Sequence, residues 1–315
     1  MRRPEPSTPR FFSILLVPER IRGRMLEHLN PQPQPPKRVV VMGAKGFVGG
    51  NCCRAMAARG INVLALDLPQ INLLEPGAAD KLKAQLRPED SLLIVSARAP
   101  VKNPGMLTDN IRMIEAVCAA LDGTPLHHVA YVSSDAVYRD SKDPLTEGDC
   151  AEPSSLHGAM HLARELMLKA TVTAPFAVFR PSLLFGPNDP HNGYGPNRFR
   201  RLAAAGQEIV MFGEGEERRD HVFIEDAADL VCRVFMHRSR GTLNVATGVV
   251  ASFRDIAERI ARSVKPAVKV RGSPRQGPMP HNGYRPFDIA NCRRAFPDFR
   301  YTTLDDGLAK SREPT

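Results

Sequence analysis

The sequence predicts an α/β fold built on a doubly wound parallel sheet, and two observations lead to this prediction. Between residues 38 and 180, short apolar runs that suit buried strands alternate with amphipathic stretches of helical period. Three glycines, Gly43, Gly46 and Gly49, stand between the first apolar run and the first helical stretch. Beyond residue 180 the chain becomes richer in Gly, Pro and Arg, which predicts a smaller C-terminal α/β region.

The individual elements follow in chain order from the spacing of the apolar residues. Residues 1–37 end in the proline-rich stretch NPQPQPPK and predict an N-terminal extension that is disordered or loosely docked. The main domain, residues 38–180, is predicted to have strands at 39–42, 63–66, 91–95, 128–133 and 176–179, and helices that include 111–121 and 158–170. The C-terminal region, residues 181–315, is predicted to have helices at 198–205, 224–237 and 252–263, a strand at 241–246 that returns to the main sheet, and a long loop at 271–286.

The glycine triplet predicts a site for the pyrophosphate of a dinucleotide. The first glycine allows a tight turn after the strand, the second lets the backbone approach the phosphates, and the third lets helix and strand pack closely. Free amides at the start of the helix then face the anion. The residues of this turn that we expect to bind the cofactor are Gly43, Lys45, Gly46, Phe47, Val48 and Gly49.

The second predicted strand ends in an acid, Asp67, about two dozen residues after Gly43. A carboxylate at this place accepts hydrogen bonds from both hydroxyls of the adenine ribose and repels a 2′-phosphate. This favours NAD over NADP, although Lys45 beside the turn could neutralise such a phosphate and keeps NADP open. We expect Ala97 to contact the same cofactor.

Composition argues against several other classes of protein. Much of the net charge of +9 lies in the first 40 residues, and no basic stripe interleaved with aromatic residues follows, so nucleic-acid binding is not expected. No apolar run approaches the roughly 20 residues needed to cross a bilayer, and the short run at 11–17 lacks a signal-peptide cleavage site. We therefore expect a cytoplasmic protein without a membrane partner. The six cysteines have no metal-ligand spacing and are expected to be free thiols.

Five motifs follow one another along the chain: GAKGFVG, the strand-end acid in ALD, YVSSDAVY, FRPSLLFGP and FGEGEERRDHVFIEDAA. From Arg38 to Leu308 the chain therefore resembles an extended short-chain dehydrogenase/reductase of the NAD-dependent epimerase/dehydratase family, whose members act mostly on nucleotide sugars. Asn110 also matches a common position of that family. The resemblance implies a Rossmann fold, NAD as cofactor and a nucleotide-sugar-like small molecule as substrate.

The resemblance also implies catalytic residues, and here the chain departs from the family. Ser134 matches the residue that hydrogen-bonds the sugar oxygen at the carbon being oxidised. The family then requires a tyrosine and a lysine four positions apart on a helix, where this chain has His157 and His161. Histidine titrates near neutrality without a neighbouring cation. We hypothesise that His157 exchanges the proton while Ser134 orients the oxygen, and that His161, on the same helical face, contacts the nicotinamide ribose.

Several alternatives stay open at this point. The site could be degenerate, in which case the protein binds NAD and a nucleotide sugar without turnover. Tyr138 and Lys142 satisfy the tyrosine–lysine spacing, but they lie in a polar stretch that does not predict a helix. His157 and His161 also have the spacing of a helical zinc pair, yet no third ligand is evident, so no metal is predicted.

On the substrate side, the resemblance implies that residues 181–315 form the substrate-binding region, with phosphate contacts from Arg219 and Arg285 and a phosphate or sugar contact from Asn197. A guanidinium pairs bidentately with phosphate oxygens. Some dehydratases of the family use Asp followed by Glu after the serine, whereas here Asp135 is followed by Ala136. An epimerase or a reductase is therefore favoured over a dehydratase, with a dehydrogenase of a non-nucleotide substrate as another alternative. The same resemblance implies a homodimer through helices at 109–121 and 157–170.

Overall fold

The computed structural model describes residues 25–190 and 192–312, and it confirms the doubly wound parallel sheet. The main domain consists of β1 (Arg38–Met42), α1 (Phe47–Ala57), β2 (Val63–Leu66), α2 (Ala78–Lys83), β3 (Asp90–Ile94), α3 (Pro104–Leu121), β4 (His128–Val132), α4 (Leu156–Thr171) and β5 (Phe176–Pro181). These five strands and a sixth from the C-terminal region form one sheet in which all neighbours are parallel.

The C-terminal region supplies that sixth strand and several small sheets. Its elements are β6 (Leu183–Phe185), α5 (Pro196–Ala204), β7 (Ile209–Phe212), β8 (Arg218–Phe223), α6 (Ile224–Met236), β9 (Gly241–Val245), β10 (Val250–Ser252), α7 (Phe253–Arg262), β11 (Val270–Ser273), β12 (Tyr284–Arg285), α8 (Ala290–Ala295) and α9 (Leu304–Lys310). Strand β9 pairs with β5, so the order in the main sheet is β2-β1-β3-β4-β5-β9.

Two helical layers cover the main sheet because its strands are apolar on both faces. In β1, Val39 and Val41 point into a core that contains residues of α1 and α6. Their neighbours Val40 and Met42 point into a second core, formed with α2, α3 and α4. This alternation follows from the two-residue period of a strand and explains why the strands appear as continuous apolar runs in the sequence.

The prediction of one long loop at 271–286 is wrong in part. Strand β11 pairs in parallel with β7, and β12 pairs in parallel with β8. The pairing depends on edges of strands about 60 residues earlier in the chain, which local Gly and Pro content does not indicate. The intervening residues form a connection that ends in a short turn at Pro280–Gly283, in which His281 and Asn282 both have a φ of +52°.

The segment before β1 is described from residue 25 onwards, and the prediction for residues 1–24 lies outside the described residues. Leu26 is buried in the core beside α6, and Met25 and Glu27 form bridges to Thr242 and Arg240. The imidazole of His28 is within hydrogen-bond distance of Ser239 Oγ (2.7 Å) and of the Ala295 carbonyl oxygen (2.9 Å). This part of the segment is therefore docked along β9.

Within the described ranges, none of the helices combines the length and apolar character needed to cross a membrane. All six cysteines are free.

Candidate functional site

A cavity of about 1420 Å³ lies between the main sheet and the C-terminal region. Its lining includes Gly43, Ser96 and Ser134, which follow the carboxyl ends of β1, β3 and β4. The chain leaves β1 for β2 on one side and later enters β3 on the other, so the sheet order reverses at this edge. Such a switch point is where open parallel sheets bind ligands.

The glycine turn forms one end of the cavity and packs too tightly for other residues. Gly43 has φ +86°, and a Cβ added there would lie 2.8 Å from the backbone nitrogen of Ser96. A Cβ on Gly49 would lie 2.1 Å from the carbonyl oxygen of Gly43. The N-cap of α1 is Gly46, which offers no side-chain cap, and the first turn of the helix carries no acid. The turn therefore presents a positive helix end to the cavity and fits the pyrophosphate of a dinucleotide.

Asp67 directly follows β2 beside this turn and lines the cavity. Its carboxylate accepts hydrogen bonds from the backbone N–H groups of Lys45 (2.7 Å) and Leu68 (2.8 Å). The Lys45 ammonium donates to the Leu68 carbonyl oxygen at 3.4 Å. The acid is thus held in place next to the glycine turn. Ala97, Phe47 and Val48 also line the cavity, so all the residues predicted to bind the cofactor lie on its wall except Gly49, which packs against Gly43 instead.

Ser134 follows β4 and begins a short 3₁₀ turn, Asp135–Val137. Its hydroxyl oxygen accepts from the N–H of Ala136 at 3.1 Å and donates to Asp135 Oδ1 at 3.3 Å. The side chain therefore stabilises its own turn while it lines the cavity. Ser133, just before it, donates to the buried Glu165 carboxylate of α4 at 2.6 Å, which ties the strand end to that helix.

The start of α4 lies against the Ser134 turn because Gly158 allows a close approach. A Cβ on Gly158 would lie 2.0 Å from the Ala136 carbonyl oxygen. Ser155 caps the helix by accepting from the Gly158 N–H at 3.1 Å. This packing brings His157 and His161 to the same cavity as Ser134. The two imidazole rings are perpendicular, with centroids 4.7 Å apart.

Burial makes both histidines weaker bases than free histidine. Desolvation lowers the pKa of His157, and the negative charge of Asp135 partly opposes this shift. The pKa of His161 is well below its ordinary value because of burial and the nearby His157 and Arg164. Both imidazoles are therefore neutral at pH 7. The pKa of free histidine led to the expectation that His157 ionises near neutrality. Burial corrects this expectation, because it moves the ionisation of His157 to lower pH.

Of the four residues predicted to bind substrate, Ser134 and Arg219 line the cavity, whereas Asn197 and Arg285 do not. The Arg219 guanidinium pairs with Asp135 at 3.5 Å and with Glu217 at 3.3 Å. Arg285 is fully buried and donates instead to Asp135 Oδ2 (3.0 Å) and Asp140 Oδ1 (3.1 Å). The structure thus places Arg285 behind the cavity wall.

Asn197, at the start of α5, is buried outside the cavity lining. Its side-chain oxygen accepts from the N–H of Gly186 at 3.1 Å. Asn110 has a comparable local task, since its side chain bonds both the N–H and the carbonyl of Arg98 at 3.0 Å. Both amides hold backbone segments near the site.

Three lining or supporting residues were missed in the sequence. His281 lines the cavity from the connection before β12 and is 2.5 Å from Asp140 Oδ1 through its Nδ1. The Tyr131 hydroxyl is within hydrogen-bond distance of His161, and the Arg164 guanidinium lies over the Tyr131 ring. Neither residue lines the cavity itself. Arg164 follows His161 by three residues, so helical spacing places both on one face of α4 and could have revealed it. Tyr131 has the pattern of an ordinary strand residue.

The geometry does not support the two alternative motifs, which are the Tyr138–Lys142 pair and the zinc pair of His157 and His161. The Tyr138 hydroxyl donates to Asn244 Oδ1 at 2.7 Å, and Lys142 is exposed in a non-helical segment. In the part of the chain that the structure describes, no group of three or more His, Cys, Asp or Glu side chains is arranged to hold a metal ion.

Comparison with known proteins matches residues 39–246 to the model of the NAD dependent epimerase/dehydratase family. A UDP-glucose 4-epimerase of Mycolicibacterium smegmatis is 28% identical over 262 residues, which cover 72% of this chain and 82% of that protein. Among solved structures, an epimerase of Methanothermobacter thermautotrophicus aligns with a TM-score of 0.78 at 20% identity, over 88% of this chain and 91% of that one. The Thermus thermophilus UDP-glucose 4-epimerase complex with NAD aligns with a TM-score of 0.72 at 19% identity, over 87% and 97%. The structural matches concern the fold.

Proposed function

Because the chain belongs to the NAD-dependent epimerase/dehydratase family, we propose that it is an enzyme that transfers a hydride at a sugar carbon of a nucleotide sugar. An epimerase or a reductase is the reaction that we favour. One observation carries the proposal: Ser134, His157 and His161 line the same cavity as the glycine turn. A site for a dinucleotide and a set of proton-handling side chains thus share one space.

The glycine turn and Asp67 would hold NAD. The amides at the start of α1 favour the pyrophosphate, and Asp67 would accept hydrogen bonds from the adenine ribose. Asp67 favours NAD, whereas Lys45 keeps NADP as the alternative. When bound, NAD supplies the hydride chemistry, and the protein supplies orientation and proton transfer.

His157 would exchange the proton of the sugar hydroxyl. Its imidazole is neutral at pH 7 because burial lowers its pKa, so it is ready to accept a proton. The nearby Asp135 carboxylate favours the imidazolium that forms. Ser134 would then orient the sugar oxygen through its hydroxyl. A base whose pKa lies below the working pH keeps its active form over the whole neutral range.

Arg219 would bind the diphosphate of the substrate. It is the predicted phosphate ligand that lines the cavity, and the pairs with Asp135 and Glu217 hold its guanidinium in place. A held guanidinium loses little conformational entropy when it takes a bidentate phosphate.

The test is the absorbance of reduced nicotinamide when NAD-loaded protein is mixed with UDP-, GDP- or dTDP-sugars between pH 5 and 9. We expect at least one sugar to reduce the cofactor, at a rate that is constant above about pH 6.5 and falls below it, because only neutral His157 accepts a proton. The His157→Gln variant should lose the reduction by at least about a hundredfold, in line with general-base catalysis.

The matched control is His127→Gln, which changes a histidine that lies outside the cavity lining. A His157→Gln variant with unchanged turnover would remove His157 from the mechanism. A rate that rises with a midpoint above pH 7 would contradict a base whose pKa is lowered by burial.

The second candidate is a protein that binds NAD and a nucleotide sugar without turnover. The observation that favours it is the Ser134 hydroxyl, which already bonds the Ala136 N–H and Asp135. In that case the titration would give binding of both ligands and no reduction with any sugar.

A further inference from the structure

Behind His161, on the side away from the cavity, lies a small buried group of polar side chains. Tyr131, in the middle of β4, is 1% exposed, and its hydroxyl oxygen is 2.7 Å from His161 Nδ1. The guanidinium of the fully buried Arg164 lies over the Tyr131 ring, 5.3 Å from its centroid. Neither Tyr131 nor Arg164 is part of the predicted site, and both lie within reach of a residue that is.

The direction of the hydrogen bond between Tyr131 and His161 follows from the chemistry of the two groups. Burial raises the pKa of Tyr131, so the phenol keeps its proton throughout the neutral range. Within the described residues, His161 Nδ1 is the partner of that hydroxyl. The O–H therefore donates to Nδ1, which must be the unprotonated nitrogen. In a neutral imidazole the ring proton is then on Nε2.

Burial keeps the His161 imidazole neutral, and Arg164 adds to this effect. The Arg164 guanidinium donates to the Ser96 carbonyl oxygen at 2.7 Å and to Asn110 Oδ1 at 3.2 Å. These contacts hold a positive charge near His161, and the pKa of His161 is lowered by burial, by the neighbouring His157 and by this charge, in that order. A second cation at His161 would be repelled by the buried Arg164, because charges interact strongly in a low-dielectric interior.

We propose that Tyr131 is a positioning residue that fixes His161 as the neutral Nε2–H tautomer, so that His161 offers one uncharged N–H donor to a ribose hydroxyl of the dinucleotide. This inference rests on the proposed function for the identity of the ligand, but not for the tautomer. Nδ1 is occupied by Tyr131 and His161 lines the cavity, so Nε2 is the nitrogen that a ligand meets. The donor carries no charge, and the proton affinity of His157 is therefore set by burial and Asp135.

The first measurement is the tautomer of His161 in the full-length protein labelled with ¹⁵N-histidine. Long-range ¹H–¹⁵N correlation spectra at pH 7, without NAD or sugar, should show His161 with a protonated Nε2 and an unprotonated Nδ1. The His161→Gln spectrum identifies the signals that belong to this residue. A protonated Nδ1, or a doubly protonated ring, in the wild-type protein would overturn the proposal.

The second measurement uses Tyr131→Phe, which removes only the hydroxyl. We expect its His161 to lose the single tautomer and to populate both neutral forms, and the affinity for NAD, measured by calorimetry, to fall roughly fivefold to tenfold as for a lost hydrogen bond. Tyr138→Phe is the matched control, since this buried tyrosine donates to Asn244 outside the cavity. It should change neither readout.

A Tyr131→Phe protein that keeps the wild-type tautomer and NAD affinity would contradict the positioning role. The result of this test does not depend on the result of the NAD-reduction test of the proposed function. The tautomer is measured without any substrate, so a protein that reduces no NAD with any sugar can still support the role of Tyr131. Conversely, an active enzyme with the wrong tautomer would leave the proposed function standing and remove this inference.

Discussion

At the scale of single residues, Asp135 has the most consequential set of contacts. It pairs with Arg219, which lines the cavity, and with Arg285, which is fully buried behind it. It also accepts from Ser134 and opposes the lowering of the pKa of His157. One carboxylate therefore connects the predicted sugar-orienting residue, the predicted base and both arginines that the sequence assigns to phosphate.

This arrangement predicts different consequences for the two arginines. Arg285→Met should lower the free energy of unfolding by about 3–5 kcal/mol, because it leaves buried carboxylate oxygens without their partner. Arg219→Met should cost less stability and should instead lower the affinity for nucleotide diphosphates, since its guanidinium lines the cavity. Urea unfolding and calorimetry with UDP measure the two effects.

Arg218→Met serves as the control, because this neighbour on β8 is exposed and lies over the Tyr284 ring. The interpretation is wrong if Arg285→Met leaves stability unchanged and weakens UDP binding more than Arg219→Met does.

At the scale of elements, two close backbone contacts position the site. The third glycine of the turn lets α1 pack against the end of β1, and Gly158 lets α4 pack against the turn after β4. Both contacts are between backbone atoms and leave no room for a side chain. The first contact aims the start of α1 at the cavity, and the second aligns the two histidines with Ser134.

Adjacent glycines of α1 provide a stringent test of the first contact. Gly49→Ala would put a Cβ 2.1 Å from the Gly43 carbonyl oxygen, whereas the Cβ of Gly50→Ala would be 3.4 Å from the Ala44 carbonyl oxygen. We expect Gly49→Ala to distort the turn and to weaken NAD binding by at least about tenfold, a cost above 1.4 kcal/mol. Gly50→Ala should bind NAD normally and gain up to about 1 kcal/mol from helix propensity.

Calorimetric titration with NAD and thermal unfolding of the two variants give the comparison. Equal NAD affinities in both would show that the third glycine is not needed for the cradle.

At the scale of the whole molecule, burial also sets how stability depends on pH. His128 in β4 and His221 in β8 are fully buried, and desolvation lowers the pKa of each to about 3. His128 Nε2–H donates to the Ser239 carbonyl oxygen at 2.6 Å, which links β4 to the segment before β9. Both histidines are neutral in the folded protein, whereas in the unfolded chain their imidazoles take up protons near pH 6.5.

The sign of the effect follows from proton linkage. Below pH 6.5 the unfolded state binds more protons, so the stabilisation from neutral burial is complete above pH 6.5 and is lost as pH falls towards 3. Each of the two histidines should contribute a slope of about 1.4 kcal/mol per pH unit between roughly pH 6 and pH 4. Urea unfolding of His128→Gln should show a slope smaller by that amount than wild type.

The partly buried neighbour His127 provides the comparison, because His127→Gln should change the slope less. Parallel stability curves for wild type and His128→Gln would contradict neutral burial of His128.

The homodimer through α3 and α4 stays a prediction at this scale.

The sequence by itself determined the fold class, the family and the cofactor class. The alternation of apolar runs with helical stretches, and the turn from Gly43 to Gly49, are local patterns that depend on neighbours a few residues away. The family match over residues 39–246 confirms the resemblance and the NAD-type cofactor. The spacing of His157 and His161 likewise follows from the helical period, and the structure places both in one cavity.

Only the tertiary structure decided which polar residues reach that cavity and how they are charged. Arg285 and Asn197 lie outside its lining, whereas Tyr131 and Arg164 support it from behind. Burial and hydrogen-bond partners depend on segments far apart in the chain, such as Arg285 against Asp135. The pKa of a histidine depends on the same packing, because desolvation of the ring is a property of the folded molecule rather than of the residue.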